Sequence, residues 1–156
     1  MIAYLDTSAL FRLYVAEKGS DELADLITTA DAVATSAITR AEIPAALAKA
    51  RRMHWLTPAA SSETYKTFLR DWADMTQIPA TAALLNRAGE LAWKSGLRGY
   101  DAVHLASALA YQDLTGAAVV LMTFDRQFSE AARDAGLAVW PDESINPESH
   151  PVKKRS

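Results

Sequence analysis

At 156 residues the chain has the length of one ordinary domain, enough to bury a core that holds without staples. Half of it is hydrophobic and 22% is charged, which excludes a disordered chain, and the absence of cysteine excludes disulfides, thiolate zinc sites and a thiol nucleophile while fitting a reducing, cytoplasmic setting. The net charge of −3 argues against a polyanionic partner unless a local basic surface exists, and the start MIAYLDTS offers neither a charged leader nor an apolar membrane span.

Residues 2–5 read as a first strand ending at Asp6, with Thr7 or Ser8 placed to cap a helix through about Val15. Ser20, followed by Asp21 and Glu22, opens a second helix to about Thr29, and residues 32–35 form a short strand. A helix carrying Glu42 starts at Ser36 or Thr39 and runs through Lys49 and Arg52; Pro58 opens the next, to about Asp74. Residues 78–80 are a brief strand candidate, and Thr81 begins a helix ending near Gly96. The turn GLRGY leads into the helix DAVHLASALAYQDLTG, stopped by Gly116. Residues 117–124 are the most strand-like segment, a helix follows from Arg126 to Gly136, and residues 137–140 form a last strand. Short strands alternating with helices predict a mainly parallel sheet inside a three-layer α/β/α sandwich. One domain is expected over residues 1–140, and residues 141–156, with three prolines and no periodicity, are expected to be a loose tail.

Four acids stand out: Asp6 and Asp125 directly after apolar runs, Glu42 within a helix, and Asp101 at the start of one. Taken singly, each has a plain explanation. Asp6 and Asp125 suit helix N-caps, Asp101 suits the positive end of a helix dipole (about 0.3–1 kcal/mol), and Glu42 suits a surface pair with Arg40 or Lys49. Together they say more. Ligands in α/β proteins bind outside the carboxyl ends of the strands, where Asp6 and Asp125 would meet, and clustered carboxylates call for a shared proton or a multivalent cation. With three histidines and no cysteine, such a cation would rest mainly on oxygen ligands, which suits magnesium or manganese.

The segments LDTSAL, TRAEI, GYDAVHLASA and MTFD, in that order, resemble the PIN-domain nucleases, especially the VapC-type toxins of bacterial toxin–antitoxin pairs, and the likeness covers residues 1–140. It implies a PIN-like fold and an endoribonuclease dependent on Mg2+ or Mn2+, acting on RNA and held inactive by a cognate antitoxin. Asp6, Glu42 and Asp101 match the three central acids of that family, and Asp125 matches the fourth, more variable one. Thr7, Ser8 and Thr123 fall where the family tends to have hydroxyls that orient carboxylates or a bound water.

On this reading Asp6 and Asp101 bind the metal directly, while Glu42 and Asp125 complete a second metal position or hold the attacking water. Arg12, Arg40 and Arg98 are candidates for phosphate contacts, though each is also the kind of charge that simply faces solvent. His104, one helical turn after Asp101, fits a packed, hydrogen-bonded histidine better than a catalytic base. Tyr65, Phe68 and Trp72 at helical spacing form a core or interface stripe, with Trp55 nearby; these helices and the apolar parts of residues 9–30 are expected to meet a second copy or an antitoxin helix. Two alternatives remain. A phosphoaspartyl enzyme would want a second aspartate where Ser8 stands, and a PIN-like binding module would bind nucleic acid or protein without cleaving.

Overall fold

The computed structural model describes residues 1–142, so most of the expected tail lies outside the described residues. The chain runs β1 (Ile2–Leu5), α1 (Thr7–Tyr14), α2 (Ser20–Thr28), β2 (Ala32–Ser36), α3 (Thr39–Arg52), α4 (Pro58–Trp72), β3 (Thr76–Ile78), α5 (Ala82–Ser95), α6 (Gly99–Thr115), β4 (Val119–Met122), α7 (Arg126–Asp134) and β5 (Ala138–Trp140). The strands form one sheet in the order β3-β2-β1-β4-β5, parallel throughout.

β1 is the central strand, and its four residues are buried on both faces, which is why IAYL reads as an unbroken apolar run. Ile2 and Tyr4 join a core with Leu84 and Ala88 of α5, Ala102, Leu105 and Leu109 of α6, and Phe128 and Ala132 of α7. Ala3 and Leu5 face the other way, onto Leu10 of α1, Leu23 of α2, Ile43 and Leu47 of α3, and Phe68 of α4. Helices therefore cover both faces, as the alternating pattern predicts. Because every strand is parallel, all five carboxyl ends lie along one edge, and the chain departs to opposite sides of β1 at β2 and β4. A crevice opens at such a reversal.

Several boundaries differ from the sequence reading, three of them near the strand ends or the acids. β3 occupies Thr76–Ile78 and not residues 78–80, because the ladder needs donors and Pro79 has none. β4 is four residues long instead of eight: its partner β1 offers only Ile2–Leu5 to pair with. α6 begins at Gly99, two residues early, which still leaves Asp101 in the first turn. The aromatic stripe resolves into core: Phe68 is fully buried, Tyr65 and Trp72 pack half-covered against the same cluster, and only Trp55 stands in solvent.

Candidate active site

Asp6 lies at the carboxyl end of β1, its backbone still paired to Met122 of β4. The helix that follows is capped by Asp6 itself, not by Thr7 or Ser8: Oδ1 accepts from the Ala9 amide at 2.8 Å and from the Ser8 hydroxyl at 2.7 Å. That leaves Oδ2 for the sheet edge, where the buried Thr123 hydroxyl donates to it at 2.5 Å. The same Thr123 oxygen accepts from the Asp125 amide at 3.1 Å. Asp125 repeats the arrangement, capping α7 through Oδ1 and the Phe128 amide at 2.9 Å, with Oδ2 turned to Arg98 at 3.1 Å. The N-cap explanation of each strand-end acid is thus correct for one oxygen and incomplete for the other.

Glu42 and Asp101 arrive on helix first turns, where a carboxylate meets the positive end of the dipole. α3 is tied to the strand ends by buried hydroxyls: Thr35 donates to the Leu5 carbonyl at 2.8 Å and lies 2.8 Å from Thr39. Glu42 Oε1 then accepts from the Thr7 hydroxyl at 2.7 Å and lies 2.8 Å from His104 Nε2. Asp101 accepts from Arg98 Nε at 3.3 Å, so one guanidinium spans Asp101 and Asp125. The small residues Ala102, Ala106, Ser107 and Ala108 are buried and let α6 lie close to the sheet, which carries Asp101 to its rim.

The loop holding Thr123 and Asp125 is clamped from outside. Gly19, at φ +89°, lets the turn before α2 lie against Phe124; a side-chain carbon there would come within 2.8 Å of the ring. Arg12 stacks its guanidinium 3.7 Å above the same ring and pairs with Glu17, which defines its place as structural support beside the acids. Arg40 reaches the Tyr65 hydroxyl, on the α4 side. Of the three arginines anticipated for phosphate, only Arg98 bonds the acids directly.

The electrostatics tie the four acids into one cluster. Burial pushes the Asp6 carboxyl above its ordinary value against the pull of His104, Thr123, Ala9 and Ser8. Burial also raises Asp101, opposed by Arg98 and reinforced by Asp125. For Glu42 burial acts upward too, but the His104 bond and charge, with Thr7, outweigh it and hold the carboxyl below its ordinary value. His104, 1% exposed, therefore influences Asp6, Glu42 and Asp101 alike. It is the residue the sequence reading set aside, and its spacing one turn after Asp101 was the available signal. The shared proton or multivalent cation expected for clustered carboxylates is not the whole of their relief: Arg98 and His104 already provide donor groups within the cluster.

Among the described residues no three carboxylate or imidazole groups converge on one point as they lie. The donor chemistry nevertheless fits a hard divalent ion, since all four acids offer oxygen, and magnesium takes only one or two carboxylates while keeping several waters. Among the described residues no helix is long and apolar enough to cross a membrane.

The PIN domain model matches residues 3–134. Ribonuclease VapC45 of Mycobacterium tuberculosis (strain CDC 1551 / Oshkosh) is 37% identical over 140 residues, covering 90% of this chain and 95% of that protein. Among solved structures, VapBC2 from Rickettsia felis bound to a promoter DNA fragment shares the fold at TM-score 0.61 and 19% identity, over 89% of this chain and 97% of that one. Mycobacterium tuberculosis VapC20, described as a sarcin-ricin loop cleaving toxin, does so at TM-score 0.61 and 19% identity, over 87% and 96%. A family match across most of the chain, joined to a relative of this identity and coverage, establishes that the chain belongs to the PIN-domain family, among its VapC ribonucleases.

Proposed function

We propose that the cluster of Asp6, Glu42, Asp101 and Asp125 is the hydrolytic centre of this VapC-type endoribonuclease, the toxin of a type II toxin–antitoxin pair, and that its ion is Mg2+ or Mn2+. Asp6 and Asp101 are the direct ligands; Glu42 and Asp125 complete a second position or hold the attacking water. The observation that carries the reading is the sharing of Thr123 and Arg98: strand ends and helix starts far apart in the chain put their carboxylates on common partners. When bound, a divalent ion supplies a water acidic enough to attack at neutral pH and offsets the charge developing on the phosphoryl oxygens.

The chain's own groups do the rest. Thr123, Ser8 and the Ala9 amide hold Asp6 in one orientation, so its charge is fixed before substrate arrives. Arg98, mostly exposed and already at the acids, can leave its carboxylates for a phosphate oxygen. A binding module without cleavage is the second reading, but this many acids would repel the phosphates it had to bind.

The cognate antitoxin is the protein partner, in line with the VapBC complex among the fold relatives. A second copy of the chain is the other: Leu85 and the 93% exposed Trp93, eight residues apart on one face of α5, leave apolar surface for it. The RNA substrate places the action in the cytoplasm.

RNA cleavage by the full chain, with Mg2+ or Mn2+ and with EDTA, tests the centre. Wild type cleaves only with the ion, and Asp6→Asn loses at least about a hundredfold in kcat. Cleavage that survives EDTA, or equal rates for Asp6→Asn and wild type, refutes the assignment.

A further inference from the structure

We propose that His104, itself fixed by the phenol of Tyr4, is the positioning residue that aims Glu42 at the active site. The inference rests on the hydrolytic centre proposed above and adds two residues to it.

An ionised carboxylate carries no hydrogen, so in the 2.8 Å contact between His104 Nε2 and Glu42 Oε1 the ring must donate. The ring's other nitrogen, Nδ1, lies 3.0 Å from the Tyr4 hydroxyl, which can donate or accept there. Tyr4 is fully buried on the central strand and sets its ring edge-on to the imidazole, centroids 5.9 Å apart at 79°. The carboxylate thus places a hydrogen on Nε2, the phenol pairs with the other nitrogen, and the packing around it fixes the ring plane.

The effect on Glu42 is asymmetric. His104 and Thr7 both bond Oε1, while among the described residues no hydrogen bond reaches Oε2. One oxygen is pinned and the other presented. A glutamate in the first turn of a helix would otherwise swing through several rotamers, so the relay turns a mobile side chain into an oriented acceptor for a water or an ion. A histidine kept for packing would end its hydrogen bonds inside the core. This one runs outward, from a tyrosine with no exposure to a carboxylate side chain that is 22% exposed.

The test uses the full chain, Mn2+ alone as the titrant in calorimetry, steady-state cleavage of RNA, and thermal melting. The variants are Tyr4→Phe, His104→Leu, His104→Gln and, as the reference for the centre itself, Asp6→Asn. Tyr4→Phe keeps the packed ring and removes only the hydroxyl. We expect His104→Leu and Tyr4→Phe to lose about 10–100-fold in Mn2+ affinity or kcat with KM for RNA nearly unchanged, and His104→Gln, whose amide returns a donor near Nε2, to recover part of the loss. Wild-type affinity and kcat in Tyr4→Phe overturn the proposal, and so does a loss that simply follows melting temperature across the variants. Should His104→Leu fail to fold, Tyr4→Phe and His104→Gln decide. If Asp6→Asn loses function while these variants keep it, only the positioning role falls; if Asp6→Asn keeps it too, the centre falls with it.

Discussion

Thr123 is where the two strand-end acids meet, and removing its hydroxyl is the sharpest test of how the cluster is held. The residue is fully buried, donates to Asp6 Oδ2 at 2.5 Å and accepts from the Asp125 amide at 3.1 Å. Thr123→Val keeps the shape and deletes both bonds. Losing a hydrogen bond to a charged acceptor costs about 1.5–3 kcal/mol, and the orphaned amide adds about 1 kcal/mol, for roughly 3 kcal/mol in total. In a chain of this length each kcal/mol moves Tm by about 2–4 °C, so calorimetry of the metal-free protein at neutral pH should find a melt lower by roughly 6–12 °C. Thr123→Ser, which keeps the hydroxyl and sheds one buried methyl, should lose only about 1 kcal/mol. The pH dependence has a definite sign. Burial raises Asp6, and Thr123 is among the groups that restrain the rise. A carboxyl raised in the fold contributes stability below its unfolded value and loses it as pH climbs through the folded value. Without Thr123 the folded value climbs further, so the deficit of Thr123→Val is greatest at neutral pH and narrows on mild acidification. A melt within about 2 °C of wild type, or a gap that widens on acidification, refutes the account.

Two further substitutions separate binding from structure. Arg98→Ala should leave stability within about 1 kcal/mol, since the guanidinium is 76% exposed and its pairs are screened, while KM for RNA rises several-fold and kcat holds. The logarithmic salt slope of RNA binding should also fall by about one; a change confined to kcat would remove Arg98 from substrate binding. If the proposed dimer forms through α5, Trp93→Glu should shift it to monomer in light scattering and remove the concentration dependence of its melt, since the side chain is 93% exposed in the single chain. An unchanged dimer would move the interface off α5.

The strand-end acids were legible because apolar runs announce buried strands, and a parallel sheet sends every such run to the same edge. Glu42 and Asp101 were legible only in company: on a helix an acid looks the same whether it faces solvent or a neighbour's carboxylate. The cap of α1 stayed open between Asp6 and the hydroxyls of Thr7 and Ser8, because all three can cap and the choice depends on where β1 stops pairing, at Asp6 against Met122 more than a hundred residues away. The link from Tyr4 to His104 had no signal in the chain at all. Tyr4 reads as an ordinary core residue of a strand, and only the packing of α6 across β1 reveals that its hydroxyl has a partner.

The same packing explains how the chain's own groups hold the cluster together. Asp6 receives three donors, Glu42 receives Thr7 and His104, and Asp101 and Asp125 share one guanidinium, so no acid faces the others bare. The compensation is unequal. Glu42 ends below its ordinary value, whereas Asp6 and Asp101, the two acids proposed as direct ligands, stay above theirs because burial opposes their ionisation. Carboxylates that are costly to ionise unaided gain most from a cation. Glu42, pinned at one oxygen by Thr7 and His104, is left to orient what arrives.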